Sequence, residues 1–324
     1  MTTTGPLDHY RGNQLAQTKR LTNLHDEDLR KRAITAARDK HFEDLWQLTL
    51  AHLTTYGHSG ILTSPSTIKN YRTHIKHFVQ HATDHAWDLL RPRRNDPQLW
   101  VQTLLAAKKK PATVGAKVAG ARALYAALRW AGATESDPFR DIRIPKDPTP
   151  SIEKNPPYSM AEFLDVLDEC DEHDRLLVLL VGHAGLRIAE AMSLEWNDLD
   201  VQKRRLTVRS GKGRKQRTVP MSRELRKAFM AYKVIFQGRK RHAERLFAFS
   251  TYNAAKYHIH KCFLKAGLDW RGFHAFRKLA GTRLHRQIKD IGRVRPFLGH
   301  SSVDTTMAYV EIPADDLQGE VEDW

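Results

Sequence analysis

One tyrosine in the last stretch of the chain has the setting that most clearly indicates chemistry. Tyr309 follows Leu298-Gly299-His300 by nine residues. A phenol is a poor nucleophile at neutral pH because its pKa is about 10, so it needs cations that favour the phenolate and stabilise the group under attack. The upstream sequence supplies such groups in the order Arg187, Lys212, His274 and Arg277. Together these residues predict the attack of a phenolate on a phosphodiester.

Two arginines have the spacing expected of phosphate ligands. Arg187 lies at a predicted helix start, where a guanidinium adds a two-pronged donor to the free N–H groups of the helix. Glu190 follows three residues later on the same face and could orient it. His274 and Arg277 lie one helical turn apart and can reach one phosphate. Taken alone, the Arg187–Glu190 pair is better explained as a surface ion pair, and a capping His with an exposed Arg is a common alternative for the second pair. The prediction therefore depends on the whole ordered set.

A basic turn carries the lysine of this set. The strand-like segments 206–208 and 217–220 flank a glycine-containing turn, a pattern that predicts a β-hairpin. Lys212 in that turn could protonate a leaving oxygen as a general acid. The other cations of the hairpin are expected to contact the DNA backbone or to stay solvated, namely Arg214, Lys215 and Arg217.

The composition indicates a polyanionic partner. The 324 residues carry a formal net charge of +16, and a charge this large repels itself in a compact protein. Membrane surfaces are also anionic, but the best apolar run, 176–181, is too short to cross a bilayer. The first residues lack the apolar core of a signal peptide. We therefore expect a cytoplasmic, nucleoid-associated protein that binds double-stranded DNA and no membrane.

Neither cysteines nor histidines predict a metal or another cofactor. Cys170 and Cys262 are too few for a disulfide framework and are expected to be buried thiols. Four histidines fall close to one helical face, a spacing compatible with a metal: His74, His77, His81 and His85. No cysteine or carboxylate cluster completes such a site, so a polar helix face near DNA is the favoured interpretation.

The spacing of apolar residues predicts helices in the first half and a mixed second half. The helices expected first are 26–38, 39–56, one capped by Ser66, 97–107 and 111–131. Five prolines between residues 141 and 157 are typical of a semi-rigid linker. Ser159 and Glu162 then form a capping box, and Phe273 and Phe276 are expected to pack inward.

The catalytic motifs resemble those of the tyrosine recombinase (phage integrase) superfamily, most closely its Xer-like members. The resemblance rests on 185–190, 211–213, 274–277, 298–300 and Tyr309, and it covers roughly residues 40–310. It implies that Tyr309 is the nucleophile, that Arg187 and Arg277 hold the phosphate, and that Lys212 protonates the 5′-oxygen. His274 and His300 would assist proton transfer, and Glu190 would support the site. Phe276 and Lys278 depart from the common His-x-Leu-Arg-His pattern, at positions that are not catalytic.

The same resemblance implies a mainly α fold with two domains that form a C-shaped clamp on DNA. A helical, SAM-like core-binding domain would precede a mostly helical catalytic domain with a small antiparallel sheet. The expected divisions are an N-terminal arm (1–40), the core-binding domain (41–140), the linker (141–157), the catalytic domain (158–310) and a C-terminal tail (311–324). Further DNA contacts are expected from Lys69, Arg72 and Lys76. The acidic tail is expected either to be disordered or to dock on a neighbouring subunit through Leu317 or Trp324.

The implied function is site-specific DNA recombination through a 3′-phosphotyrosyl intermediate and a Holliday junction. Four protomers, of this chain alone or with a second recombinase, would act on two sites without a cofactor. The cellular task would be the resolution of chromosome or plasmid dimers, or the integration and excision of a mobile element. Two alternatives stay open: a topoisomerase-like or hairpin-forming enzyme, and a DNA-binding regulator that has lost catalysis. The complete catalytic set argues against the regulator.

Overall fold

The computed structural model describes residues 6–149, 151–209, 216–236, 245–249 and 251–300. The chain divides into two compact units, Met1–Pro148 and Thr149–Trp324. Each unit has its own hydrophobic core, and the two are described in turn.

The first unit is helical throughout its described residues, apart from its loops. Its helices are α1 (Pro6–Thr22), α2 (Asp26–Arg38), α3 (Phe42–Tyr56), α4 (Pro65–Asp84), α5 (Asp96–Ala106) and α6 (Pro111–Trp130), with a 3₁₀ turn at Gly60–Leu62. Helices α3 and α4 both pack on α6. Phe78 of α4 lies at the centre of the core, and its ring contacts those of Trp100, Tyr125 and Phe139.

The N-terminal segment packs against the rest of the first unit in its described part. Helices α1 and α2 pack on α3, and Gln14 Nε2 donates a buried hydrogen bond of 2.8 Å to Thr54 Oγ1. Leu21 and Leu29 are buried with Ala33, Ala36 and Ala37. The buried face of this segment was not evident from its polar composition, because that face is narrow and consists largely of alanines.

Helix α4 begins two residues earlier than its predicted cap implied. Ser64, rather than Ser66, is the N-cap, and its Oγ accepts a hydrogen bond of 3.2 Å from Thr67 N. Pro65 occupies the first helical position, where its fixed φ suits the helix and its missing N–H costs no bond. Ser66 therefore lies within the first turn.

The second unit surrounds one buried helix with shorter helices and a small sheet. Its elements are α7 (Ser151–Lys154), α8 (Met160–Asp168), α9 (Glu172–Gly182), α10 (Ile188–Met192), β1 (Leu199–Asp200), β2 (Arg205–Val208), β3 (Arg217–Pro220), α11 (Arg223–Phe236), α12 (Tyr252–Lys265), α13 (Phe273–Ile288) and α14 (Ile291–Leu298). The apolar run 176–181 of α9 is fully buried against α11 and α13. The predicted mainly helical fold with a small antiparallel sheet is confirmed. None of the helices in the described ranges combines the length and apolarity needed to cross a bilayer.

The antiparallel sheet has the order β1-β2-β3 and includes the predicted hairpin. In β2 and β3, Leu206 pairs with Val219 and Val208 pairs with Arg217. Side chains alternate between the two faces of a strand, so Arg217 lies on the same face as the buried Val219. This register turns Arg217 toward the protein.

The predicted capping box of α8 is also confirmed. Ser159 N donates to Glu162 Oε2 at 2.7 Å, and Glu162 N donates to Ser159 Oγ at 3.1 Å. Phe273 and Phe276 are both buried, as expected.

Candidate active site

The turn between α9 and α10 presents the first arginine. Gly185 has a φ of +63°, and a Cβ there would lie 2.8 Å from Leu298 Cδ2. Glycine therefore allows both the left-handed turn and the close approach of α14. Arg187 follows as the N-cap of α10, and its side chain is 40% exposed.

A buried carboxylate, Glu190, organises this part of the site. Arg187 N donates to Glu190 Oε2 at 2.9 Å and Arg187 Nη1 donates to Oε1 at 2.9 Å. Burial alone would raise the pKa of Glu190, but hydrogen bonds and charge from Arg217 and Arg187 hold that pKa below its usual value. Glu190 is therefore ionised and holds the guanidinium of Arg187 in place.

Arg217 is the second arginine on this carboxylate. Its Nη2 lies 2.7 Å from Glu190 Oε2 and its Nη1 lies 3.0 Å from Oε1, a bidentate pair. Its side chain is only 12% exposed. Arg217 is thus a part of the site, and its prediction as a DNA-backbone contact or a solvated charge does not fit this position.

Gly299 makes room for Arg217. Its φ is +65°, and a Cβ there would lie 2.8 Å from Arg217 Nη1 and 3.0 Å from Arg217 Cδ. Arg217 Nε also donates to Phe297 O at 3.3 Å. The turn at Leu298-Gly299-His300 therefore packs closely against the guanidinium of Arg217.

Arg277 joins the two turns that form the site. Its side chain is 1% exposed, and its Nη1 donates to Gly185 O at 2.6 Å while its Nη2 donates to Leu298 O. Nη1 also lies 3.8 Å from Glu190 Oε2. The neighbouring Phe276 is buried in the hydrophobic core and anchors this part of α13.

Two imidazoles complete the described part of the site. Burial, and then the charges of Arg277 and Arg187, lower the pKa of His300 to about 4. His274 is more exposed, yet the protein around its ring, and then Arg277 and Lys278, also lower its pKa. Both rings are therefore neutral at pH 7, and a neutral imidazole can accept a proton.

The described site is suited to an anion. Three guanidiniums contact one carboxylate, which leaves an excess of two positive charges in a partly closed position. Guanidiniums are planar donors that match the oxygens of a phosphate. The structure brings together Arg187, Glu190, Arg217, His274, Arg277 and His300.

Lys278 follows Arg277 on α13, and its side chain is buried. Its side chain belongs to the fully buried set, and its Nζ donates to Asn155 O at 2.7 Å. This bond holds the segment before α8 against α13.

Several predicted residues lie outside the described part of the chain. These are Lys212, Arg214, Lys215 and Tyr309, together with the tail 311–324.

The predicted DNA contacts of the first unit are on α4. Lys69, Arg72 and Lys76 are exposed and fall on one side of the helix. Arg72 also pairs with Glu43, and the cationic groups of Arg72 and Lys76 lie 5.7 and 5.9 Å from the centre of the Phe42 ring. The histidine stripe (His74, His77, His81 and His85) lies on the same helix and at its C-cap. Two of its members pack on each other, since the ring centroids of His81 and His85 are 4.0 Å apart.

Comparison with known sequences identifies both units. The sequence model of the Phage integrase family matches residues 158–315, and that of the Phage integrase N-terminal SAM-like domain matches residues 62–132. Together they match well over half of the chain. The expected SAM-like fold of the first unit is thereby confirmed.

Individual relatives agree with these matches. Tyrosine recombinase XerA of Thermococcus kodakarensis is 28% identical over 207 residues, 61% of this chain and 71% of that protein. Tyrosine recombinase XerC of Oceanobacillus iheyensis is 25% identical over 276 residues, 79% of this chain and 88% of that protein.

Solved structures share the fold. The Tn1549 transposon integrase in complex with a circular intermediate DNA has a TM-score of 0.63 and 20% identity, over 86% of this chain and 99% of that one. The XerH site-specific recombinase in its pre-cleavage complex with difH has a TM-score of 0.62 and 17% identity, over 100% and 98% of the two chains. With the ordered motifs and both matched domains, the chain belongs to the phage integrase family, the family of the tyrosine recombinases.

Proposed function

We propose that this protein is a site-specific DNA recombinase that cuts and rejoins duplex DNA through Tyr309. The observation that carries the proposal is the arrangement of Arg187, Arg217 and Arg277 around Glu190. This arrangement supports the binding of one phosphate, and His300 in the same site precedes Tyr309 by nine residues.

The cleavage step follows from these groups. Tyr309 Oη attacks the phosphorus, a P–O bond to tyrosine forms, and the bond to the 5′-oxygen breaks. Arg187 and Arg277 hold the non-bridging oxygens and stabilise their charge in the transition state. Neutral His300 or His274 accepts the phenol proton, and Lys212 gives a proton to the leaving 5′-oxygen.

The rejoining step is the reverse with a different strand. The 5′-hydroxyl of a partner strand attacks the 3′-phosphotyrosyl bond and releases the tyrosine. The number of phosphodiester bonds is unchanged, so the exchange needs no external energy source. Two such exchanges at two sites, carried out by four protomers, would pass through a Holliday junction.

Binding to DNA would precede this chemistry. Lys69, Arg72 and Lys76 on α4, and Arg214 and Lys215 in the hairpin turn, are proposed as phosphate contacts. Such contacts release counterions from DNA, so the affinity should fall steeply with salt. Association with the nucleoid would follow from this general affinity. The resolution of DNA dimers and the movement of a mobile element are the two cellular tasks that the proposal allows.

A nicked suicide substrate tests the proposal. On such DNA the short fragment that carries the new 5′-hydroxyl diffuses away, so a covalent protein–DNA adduct accumulates and migrates slowly in a denaturing gel. Wild type should form the adduct and Tyr309→Phe should not. Tyr257→Phe, at a 62% exposed tyrosine of α12, is the matched control and should behave as wild type. Adduct formation by Tyr309→Phe, or none by wild type, contradicts the proposal.

The DNA product distinguishes recombination from a topoisomerase-like activity at the same site. With two sites on one plasmid, a recombinase yields rearranged circles of predictable size. A topoisomerase-like enzyme would change only the linking number and leave the sequence order intact.

A further inference from the structure

A second cluster of ionisable side chains lies in the second unit where α9 meets α12. Asp174, in the first turn of α9, is 6% exposed. Its Oδ1 lies 2.8 Å from His173 Nδ1 and 3.5 Å from His258 Nδ1. One ligand atom from each of the three residues lies within 4.8 Å of the others. Across the described residues this is the single group of three or more His, Cys, Asp or Glu that converges in this way.

The local fold holds these side chains in place. Asp171 caps α9 by accepting a hydrogen bond of 2.8 Å from Asp174 N, which fixes the first turn of the helix. His258 and Cys262 lie one turn apart on α12, and Cys262 Sγ is 3.9 Å from Asp174 Oδ2. Two elements that are far apart in sequence therefore meet at one carboxylate.

The sequence around the cluster is acidic, although the protein as a whole is strongly basic. Residues 168–174 contain five carboxylates and no lysine or arginine, in a chain with a net charge of +16. The DNA cleavage mechanism makes no use of this segment. A concentration of carboxylates beside two imidazoles attracts a divalent cation and repels phosphate.

We propose that His173, Asp174 and His258 bind a divalent transition-metal ion of the zinc class. Two imidazole nitrogens and a carboxylate oxygen are ligands that Zn²⁺ accepts, at distances of about 2.0–2.2 Å. Both imidazoles use Nδ1, and the ion would replace the N–H···O contacts to Asp174. The side chain of His258 is 47% exposed, so an ion can enter from solvent and keep a water as its fourth ligand. The bound ion would join α9 to α12 and stabilise the second unit.

Zinc titration of the metal-depleted full-length protein tests this site. Calorimetry should show one saturable Zn²⁺ site in wild type, and Zn²⁺ should raise its Tm. His258→Gln removes an exposed ligand and should weaken Zn²⁺ binding by at least about tenfold, because even indirect changes around a metal ligand cost 10–100-fold. His260→Gln changes a second histidine of α12 that lies outside the cluster, and it should bind Zn²⁺ as wild type does.

The histidine stripe of α4 is the competing site, and His77→Gln measures its contribution. The proposal expects this variant to bind as wild type does. Absence of saturable binding in wild type, or wild-type affinity in His258→Gln, overturns the proposal. A loss of binding in His77→Gln but not in His258→Gln also overturns it. Far-ultraviolet circular dichroism and the Tm without metal establish that each variant is folded.

Discussion

Arg217 and Glu190 form a bidentate ion pair across 27 residues of sequence, with contacts of 2.7 and 3.0 Å. The carboxylate is 4% exposed and also accepts from Arg187. The pair therefore joins the β2–β3 hairpin to the turn that presents the proposed phosphate ligand.

Loss of Arg217 should uncouple cleavage from DNA binding. Arg217→Ala leaves Glu190 buried with less compensation, so the free energy of unfolding should fall by about 3 kcal/mol. The orientation of Arg187 should also relax, and adduct formation should drop by about tenfold or more. Urea unfolding and the suicide-substrate assay measure the two effects, and gel shifts should show DNA affinity within about threefold of wild type.

Lys227→Ala is the control for this pair. Lys227 pairs with Glu224 at 3.1 Å on an exposed face of α11, and such pairs contribute at most about 1 kcal/mol. Equal losses of stability in the two variants would contradict the central role of Glu190.

Gly299→Ala should impair the site more than backbone strain alone explains. The substitution forces an L residue to a φ of +65° and places its Cβ 2.8 Å from Arg217 Nη1. Gly267 has nearly the same φ, +67°, but an added Cβ there meets nothing within 4 Å. Both variants should lose about 1–2 kcal/mol from the left-handed backbone. Only Gly299→Ala should also lose most of its adduct formation; an equal loss in Gly267→Ala would contradict this account.

The buried ring of His300 should make the fold sensitive to acid. Its pKa is about 4 in the folded protein and ~6.5 in an unfolded chain, so the unfolded state binds a proton first. The free energy of unfolding should therefore fall as pH drops from about 6.5 to 4, and it should be independent of this group above that window. His300→Gln should flatten part of the fall in urea unfolding series. His183, whose pKa is also lowered to about 4, and His274, whose pKa is lowered too, contribute to the dependence that remains. An unchanged slope in the variant would contradict the neutral assignment of His300.

The N-terminal helices should contribute directly to the stability of the first unit. Leu21 of α1 is 4% exposed and Leu15 of the same helix is 43% exposed. Leu21→Ala should cost about 2–4 kcal/mol, whereas Leu15→Ala should cost less than about 0.5 kcal/mol. Thermal unfolding of the two variants compares them, and equal effects would mean that α1 is not part of the core.

Several members of the described cluster could be predicted because they belong to local patterns. Arg187 and Glu190 lie three residues apart, as do His274 and Arg277, and helical periodicity places each pair on one face. The positions of most helices and of the β2–β3 hairpin also follow from the spacing of apolar residues. The order of the motifs along the chain then carried the family resemblance.

Other features were less visible, for two different reasons. The buried position of Arg217 had a signal, because its alternation with Val219 places both on one strand face. Pro65 likewise marked the true start of α4. The meeting of Asp174 with His258 had no local signal, since the residues are 84 positions apart and only helix packing brings them together.

The bridge that Arg277 makes between Gly185 O and Leu298 O holds the two turns of the anion site together through one side chain. Gly185 lies two residues before Arg187, and Leu298 lies two residues before His300. A force that displaces the end of α14 is therefore transmitted through a single guanidinium to the turn that presents Arg187.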